Sequence, residues 1–261
     1  MNRTLLLLLL IPIPARAARL LVVLNEPLSL SYREALEGLR AEWTDTIETA
    51  PADRPLPLGP HGVIIALGQR AALKSRAAGT PLVVALAPAY RADGPAPATV
   101  IIAMTPSPER LVRFLAAAGV KRLLALRSTP AEAEFARRAA EAGKAVGVVI
   151  EDGIIRAQDD LPLLLRDAGA RADALWLTPD PTAVTPLNFA VAKEYARVRS
   201  IPFFAPSTGL VSGDVRCELA VSFRACGREA ARAARGILVG RPAAKIIYPG
   251  EPANQNLQPA R

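Results

Sequence analysis

The chain has 261 residues, 51% of them hydrophobic, and a formal net charge of +8. That length is enough for two cores of ~100 to 150 residues each. Its basic residues are scattered and are not interleaved with aromatic residues, which argues against a nucleic-acid-binding protein. We therefore expect no nucleic-acid partner, and we attribute the many Arg and Ala residues to coding bias.

The first predicted element is an export signal at residues 1–17. Arg3 supplies a positive charge, Leu5–Ile11 is an apolar run, and Ala15-Arg16-Ala17 is typical of a cleavage site. The run is much shorter than the ~20 residues that a membrane-spanning helix needs. Removal of Arg3 and Arg16 lowers the net charge by two, from +8 to +6. No cysteine directly follows the site to carry a lipid anchor, so we expect a freely diffusing periplasmic protein.

Beyond this signal, short apolar runs alternate with amphipathic stretches, a pattern typical of βα units that form a mostly parallel sheet. Most runs lack polar alternation, as strands buried on both faces do. The predicted strands are 20–24, 63–67, 82–86, 99–104, 122–126, 145–150, 174–177 and 203–205. The predicted helices are 31–43, 69–78, 108–118, 130–142, 160–168, 186–198 and 227–239.

Several helix starts have recognisable signals. Ser31 with Glu34, and Thr129 with Glu132, match the capping box. Prolines at the first helical position indicate three starts, at Ser107-Pro108, Pro130 and Pro186. The prolines of 51–60 exclude a full helix where a βα rhythm would place one, so this region has no helix or a short substitute. The irregular segment 87–98 is a surface loop or part of a cleft rim.

Small polar residues follow several predicted strands, where ligands collect in open parallel sheets because helix N-termini converge there. Each of them is also a residue favoured at caps and turns, so their convergence on one crevice carries the argument. The candidate ligand-binding residues are Ser29, Gly68, Gln69, Arg70, Ser128, Thr129, Asp180, Ser207 and Thr208.

At these residues a family resemblance appears. The segments VIIALGQRAALK (Val63–Lys74) and TPLVVAL (Thr80–Leu86) resemble the first lobe of ABC-transporter substrate-binding proteins of the type I periplasmic-binding fold, in the branch with tryptophan- and tyrosine-binding members. Further matching segments are Ala172–Asp180, Ser200–Ser207, Val211–Gly213, Gly227–Ala231 and Ile237–Pro242. Departures are the missing helix at 51–60, the tail 251–261, and Gly213-Asp214 where the family has Gly-Ala.

The resemblance implies an α/β protein with two Rossmann-like lobes, each with a parallel sheet, joined by a multi-strand hinge. Lobe 1 would comprise residues 18–104 and about 215–240, and lobe 2 residues 105–214 and about 241–261. The chain would cross between lobes near Met104-Thr105, Asp214–Glu218 and Gly240–Ala244. The implied function is that of a monomer that binds a small molecule, an amino acid in some members, and delivers it to an ABC permease of the inner membrane.

A zwitterionic ligand needs a carboxylate for its ammonium group and donors for its own carboxylate. Asp180 is the candidate ammonium partner, although capping or turn formation explains it equally well. The candidate donors are the Ser128-Thr129 helix start, the Gly68-Gln69 turn and Arg70, which could equally lie on an exposed helix face. Ser207 and Thr208 would close over the ligand. Trp43 and Trp176 fit packing positions better than stacking positions.

Other functional classes find little support. The only histidine, His61, follows a proline-rich turn, and we expect it to be an exposed loop residue. The chain has no phosphate-binding loop, no dinucleotide fingerprint and no metal-ligand pattern, so we expect no enzyme activity, cofactor or metal. The alternative is a sensor or accessory binding module of the same fold that contacts a membrane partner.

The only cysteines, Cys217 and Cys226, are close in sequence. A racemase would place one thiol on each side of its substrate, which this spacing does not favour. An oxidising periplasm permits a disulfide between them, and two buried thiols are the alternative.

Overall fold

The computed structural model describes residues 19–25, 29–57, 59–91, 98–157, 160–207, 210, 215–241 and 244–250. The predicted signal 1–17 and the tail 251–261 lie outside these residues. Within the described part, no helix is both long enough and apolar enough to cross a membrane.

The chain folds into two parallel sheets flanked by helices, which confirms the predicted α/β class. The first part consists of β1 (Arg19–Leu24), α1 (Leu30–Glu42), β2 (Ile47–Pro51), β3 (His61–Leu67), α2 (Gln69–Arg76), β4 (Leu82–Ala85) and β5 (Thr99–Ile102). The second part consists of α3 (Pro108–Ala117), β6 (Arg122–Arg127), α4 (Ala133–Val146), β7 (Val149–Ile154), α5 (Asp160–Asp167), β8 (Ala174–Leu177), α6 (Pro186–Arg199), β9 (Phe203–Phe204) and β10 (Val215–Arg216). The chain then forms α7 (Phe223–Leu238) and β11 (Ile246–Ile247).

The strand order is β11-β5-β4-β3-β1-β2 in the first sheet and β10-β9-β8-β6-β7 in the second. We call the first sheet with α1, α2 and α7 lobe 1, and the second sheet with α3 to α6 lobe 2. In each sheet the first strand lies between the second and the third, as in a doubly wound fold. In such folds ligands bind outside the carboxyl ends of the strands.

Two strands late in the chain lie in a different lobe from the one predicted for them. The strand β10 pairs with β9 in lobe 2, whereas residues 215–240 are predicted to belong to lobe 1. The strand β11 pairs with β5 in lobe 1, whereas residues 241–261 are predicted to belong to lobe 2. The chain returns to lobe 2 only at Tyr248, whose ring lies 6.4 Å from that of Phe135. The last crossing therefore follows Ile247 and does not occur at 240–244.

The helix starts show which local signals hold. Ser107 caps α3 by accepting a hydrogen bond from the N–H of Arg110, and Pro186 begins α6 as predicted. The helix starts predicted from the two capping boxes are wrong. The helix α1 begins directly after Ser29, and α4 begins at Ala133, so Pro130 lies before the helix.

Local signals also misplace a strand and leave three others unpredicted. The predicted strand 145–150 is shifted, because α4 continues to Val146 and ends at Gly147, whose φ of 70° breaks the helix. Three short strands, β2, β10 and β11, were not predicted. The described residues between β2 and β3 contain no helix, as the prolines of 51–60 indicate.

The helix α7 packs on α1 with direct contact between the two backbones. A Cβ atom at Gly38 would overlap the carbonyl oxygen of Arg224, and one at Gly227 would overlap the carbonyl oxygen of Ala35. The buried residues of α7 are small: Ala225, Cys226, Gly227, Ala230, Ala231, Ala233 and Ala234. Because these side chains are short, α7 lies close to α1 and completes the core of lobe 1.

We predict that Gly227→Ala destabilises the protein, because the added methyl group forces the two helices apart. Overpacking of this kind costs about 1–3 kcal/mol, occasionally more. The matched control is Gly236→Ala in the same helix, where a Cβ would meet nothing within 4 Å. There the exchange of Gly for Ala is expected to stabilise the helix by up to ~1 kcal/mol. Urea unfolding measures both, and equal midpoints for the two variants would contradict the described contact.

Candidate functional site

A cleft of about 540 Å³ lies between the two lobes. Lobe 1 contributes the segment 87–91 after β4 and the end of β5, and lobe 2 contributes the segments after β6 and β8. The lining also includes Ile246 of β11 and Tyr248. The cleft therefore lies at the carboxyl ends of strands from both sheets, where an open α/β sheet places its ligands.

Asp180 holds together two of the loops that line this cleft. One carboxylate oxygen accepts hydrogen bonds from the N–H and the hydroxyl of Ser128, at 2.7 and 2.6 Å. The other accepts from the N–H of Thr182 at 2.9 Å and of Ala183 at 3.3 Å. Burial raises the pKa of Asp180, but these hydrogen bonds outweigh burial and hold the pKa below its ordinary value.

Arg127 is the buried cation of the cleft, with a side chain that is 12% exposed. Its Nε lies 3.0 Å from an oxygen of Asp152, whose other oxygen accepts from the N–H of Ala131 at 2.8 Å. The guanidinium carbon lies 5.9 Å from the ring centre of Trp176. Burial lowers the pKa of Arg127, and the charges of Asp152 and Asp180 oppose this shift.

Three side chains that line the cleft have buried polar atoms without a hydrogen-bond partner among the described residues. These atoms are Nε and Nη2 of Arg127, the hydroxyl of Tyr90 and Nε1 of Trp176. Tyr90 and Trp176 are 1% and 0% exposed. Because these atoms are inaccessible to solvent, they lie within the packed walls of the cleft and not on its open surface.

One ion pair crosses the cleft from lobe to lobe. Nε of Arg91, in the segment after β4, lies 3.9 Å from a carboxylate oxygen of Glu132 in lobe 2. The Arg91 side chain is held by hydrogen bonds to the carbonyl oxygens of Pro88 and Tyr90, both at 3.1 Å. Both charged side chains are exposed, so the pair contributes little stability and does not oppose movement of the lobes.

The structure brings together part of the predicted site. Ser128, Thr129 and Asp180 line the cleft. Five candidates lie outside its lining, namely Ser29, Gly68, Gln69, Arg70 and Ser207, and Thr208 lies outside the described residues. Arg70 is exposed on α2, and Gly68 takes a φ of 99° beside the hydroxyl of Tyr32. A ligand role for these residues stays a prediction.

Sequence reasoning missed two residues of the cleft lining, Tyr90 and Arg127. Tyr90 follows β4 in the segment that was expected to be a loop or rim, and only the fold shows that it is buried. Arg127 had a signal in the sequence: it continues the alternation of Leu123 and Ala125 on one face of an apolar strand. The alternation places Arg127 on the same face of the sheet as those two buried residues.

Two further expectations can be compared with the structure. His61 is not an exposed loop residue: it begins β3, its side chain is 6% exposed, and its Nε2 lies 2.9 Å from Glu48. Cys217 and Cys226 are buried and not bonded to each other, which corresponds to the alternative of two thiols. Burial raises the pKa of Cys226 to about 12, so this thiol is unreactive at neutral pH.

Neither a protein-family model nor a curated protein matches the chain. Solved structures do match. An ABC domain in complex with L-Trp from Streptococcus pneumoniae has a TM-score of 0.56 and 15% identity over 90% of each chain. An open, ligand-free substrate-binding protein with adhesive properties from Clostridium difficile has a TM-score of 0.56 and 11% identity, also over 90% of each chain.

The chain has the fold of ABC-transporter substrate-binding proteins. The same fold occurs in LacI-type regulators: a protein assigned as a ribose operon repressor of Burkholderia thailandensis matches with a TM-score of 0.51 and 14% identity, over 88% of this chain and 95% of that one. These structural neighbours are binding proteins and regulators. At such low identities the likeness concerns the fold alone, so function has to be argued from the site.

We predict that Asp180→Asn destabilises the protein by about 1–3 kcal/mol at neutral pH, because an amide nitrogen would face backbone donors that need an acceptor. The pKa of Asp180 is lower in the folded state than in the unfolded state. Its contribution to the free energy of unfolding is therefore present above about pH 3.9, the unfolded pKa, and is lost as the pH falls through the folded pKa. The difference between wild type and variant should therefore shrink in acid. Urea unfolding from pH 7 to pH 3 tests this, with the exposed Asp53→Asn as the control. A constant difference across that range would contradict the described network.

Proposed function

We propose that the chain is the extracytoplasmic solute-binding component of an ABC-type importer, and that it binds a small molecule in the cleft between its lobes. The observation that carries this proposal is the cleft of about 540 Å³ that both lobes line at the carboxyl ends of their strands. The residues proposed to surround the ligand include Arg127, Ser128, Thr129 and Asp180, which line this cleft.

The connections between the lobes support closure around a ligand. The chain passes between the sheets after β5, after β10 and after β11. The segments after β5 and after β11 line the cleft. A ligand that contacts both lobes binds the closed state better than the open state and shifts the population toward closure. The ion pair between Arg91 and Glu132 of lobe 2 is long and exposed, so it adds little to the cost of separating the lobes.

The proposed location follows from the export signal predicted at residues 1–17, and the proposed partner is an ABC permease of the inner membrane. The runner-up is a binding module of the same fold that acts on a membrane partner without transport. The absence of a helix from the described residues of 51–60, which reduces the surface of lobe 1, is the observation that keeps this alternative in consideration.

A thermal-shift screen of residues 18–261 against amino acids, carboxylates, sugars and nucleosides tests the proposal. A ligand at 100 times its dissociation constant stabilises the folded state by about 2.7 kcal/mol, which raises the melting temperature by a few degrees. We expect at least one such ligand, with a decrease in the radius of gyration in solution scattering as the lobes close.

The matched variants are Ala131→Trp, which fills the cleft, and Ala133→Trp, an exposed position outside the cleft lining. The first should abolish the ligand-induced shift and the second should leave it unchanged. A flat screen, from folded protein freed of carried-over ligand by partial unfolding, would contradict the solute receptor and favour the partner-binding module.

A further inference from the structure

We propose that the face of lobe 2 formed by α4 and the edge strand β7 binds a second copy of this chain, with the two α4 helices antiparallel about a two-fold axis. This inference goes beyond the proposed function and does not depend on which ligand the cleft receives. It departs from the monomer that the sequence resemblance implies.

A groove of about 460 Å³ runs along α4 where this helix faces β7. The helix residues that line the groove are small, namely Ala136, Ala139, Ala140 and Gly143. Because these residues have a methyl group or no side chain, they leave space between the helix and the strand. Ala136 and Ala140 are exposed, so the groove is open to solvent and accessible to another chain.

The strand β7 beside this groove is one edge of the second sheet. It pairs with β6 on one side, and none of the described strands pairs with its other side. Val149, at the start of β7, lines the groove and is 48% exposed, and Val146, at the end of α4, is 49% exposed. An open strand edge next to exposed apolar side chains is typical of a surface that another chain covers.

The charges of α4 beside the groove fit a second copy of the same helix. Four exposed side chains alternate in sign along one side of α4, namely Glu134, Arg137, Glu141 and Lys144. Glu134 and Lys144 are each five residues from Ala139, and Arg137 and Glu141 are each two residues from it. In an antiparallel pair centred at Ala139, residues equidistant from the centre face each other. Glu134 would therefore face Lys144 of the second copy, and Arg137 would face Glu141.

This charge pattern favours a copy of the chain over an unrelated partner. The four charges of this face cancel, whereas the whole chain carries a net charge of +8, so this face avoids the general repulsion between copies. Arg137 already pairs with Glu134 at 2.7 Å and with Glu141 at 2.8 Å, so contacts between the copies would extend an existing network. The antiparallel arrangement also brings Val149 of each copy toward the opposite end of the other groove.

Sedimentation velocity of residues 18–261 tests the inference, because removal of the predicted export signal removes an apolar run that could itself associate. An interface confined to one helix and one strand lies at the small end of interface sizes, where complexes are weak. We therefore expect a monomer–dimer equilibrium with a dissociation constant of about 10–100 µM, which weakens as salt screens the facing charges.

A substitution in the groove assigns the dimer to this face. Ala140→Glu places a carboxylate at the centre of the contact and should raise the dissociation constant about 10-fold or more, because the charge would be buried without a partner. The matched control is Ala190→Glu, at an exposed alanine of α6, and it should leave the dissociation constant unchanged.

A charge exchange tests the antiparallel pairing itself. Glu134→Lys and Lys144→Glu should each weaken association about 10-fold or more, because each variant places like charges opposite each other at both ends of α4. An equimolar mixture of the two variants should dimerise again, since opposite charges then face each other at both ends. Within one helix the two positions are about 15 Å apart, so this recovery can occur only between chains.

Three results would overturn the inference. The first is a chain that stays monomeric at every concentration, which would leave the groove to a different occupant. The second is a dimer that Ala140→Glu does not weaken, which would place the interface elsewhere. The third is a mixture of the charge variants that associates no better than either variant alone, with urea unfolding midpoints equal to that of wild type. None of these measurements involves a ligand, so the solute receptor is tested separately.

Discussion

The contact between the backbones of α1 and α7 is the constraint on which the two-lobed arrangement depends. The helix α7 follows lobe 2 in the chain but packs in the core of lobe 1, and Gly38 and Gly227 are the positions that let it approach α1. Ion pairs between α1 and α7, Glu37 with Arg224 and Glu42 with Arg232, lie along the surface of the same contact. Close packing supplies the stability here, because exposed ion pairs add little.

The return of α7 and β11 to lobe 1 also determines the shape of the cleft. The chain has to cross between lobes on both sides of α7, so more than one segment limits how the two sheets face each other. The carboxyl ends of β4 and β5 then lie opposite those of β6 and β8. Asp180 stabilises the lobe 2 side by joining two loops, and this leaves Arg127 and Trp176 at a defined edge of the cleft. The proposed closure around a ligand requires such a fixed wall in each lobe.

Much of the fold could be predicted from the sequence because the signals are local. Apolar runs of four to six residues mark the buried parallel strands, and a cap such as Ser107 with Pro108 marks a helix start. The short strands β10 and β11 could not be predicted in this way, because two residues carry no periodicity and their pairing depends on distant partners. The predicted lobe boundaries differ from the observed ones for the same reason, since only the pairing of β11 with β5 assigns Ile246 and Ile247 to lobe 1.

The candidate site was predictable to a smaller extent. Residues after strands could be placed at the correct edge, and Ser128, Thr129 and Asp180 do line the cleft. The role of Asp180 depends on hydrogen bonds to loops that are distant in sequence, and no local pattern reveals them. Trp176 was expected to pack in the core and does so, and it also borders the cleft. Burial and pairing of single atoms, which decide the chemistry, are properties of the tertiary structure alone.

The two lobes differ in how they can be assembled during synthesis. The strands of lobe 2 lie within one uninterrupted stretch, from β6 to β10, whereas lobe 1 needs α7 and β11, which come last. A nascent chain that has emerged only as far as Arg216 can form the sheet of lobe 2 but still exposes the apolar surface that α7 covers. Contacts between segments so far apart in sequence form slowly, because a long loop has to close first. Lobe 1 therefore remains incomplete until the last part of the chain is available, whereas the sheet of lobe 2 does not depend on that part.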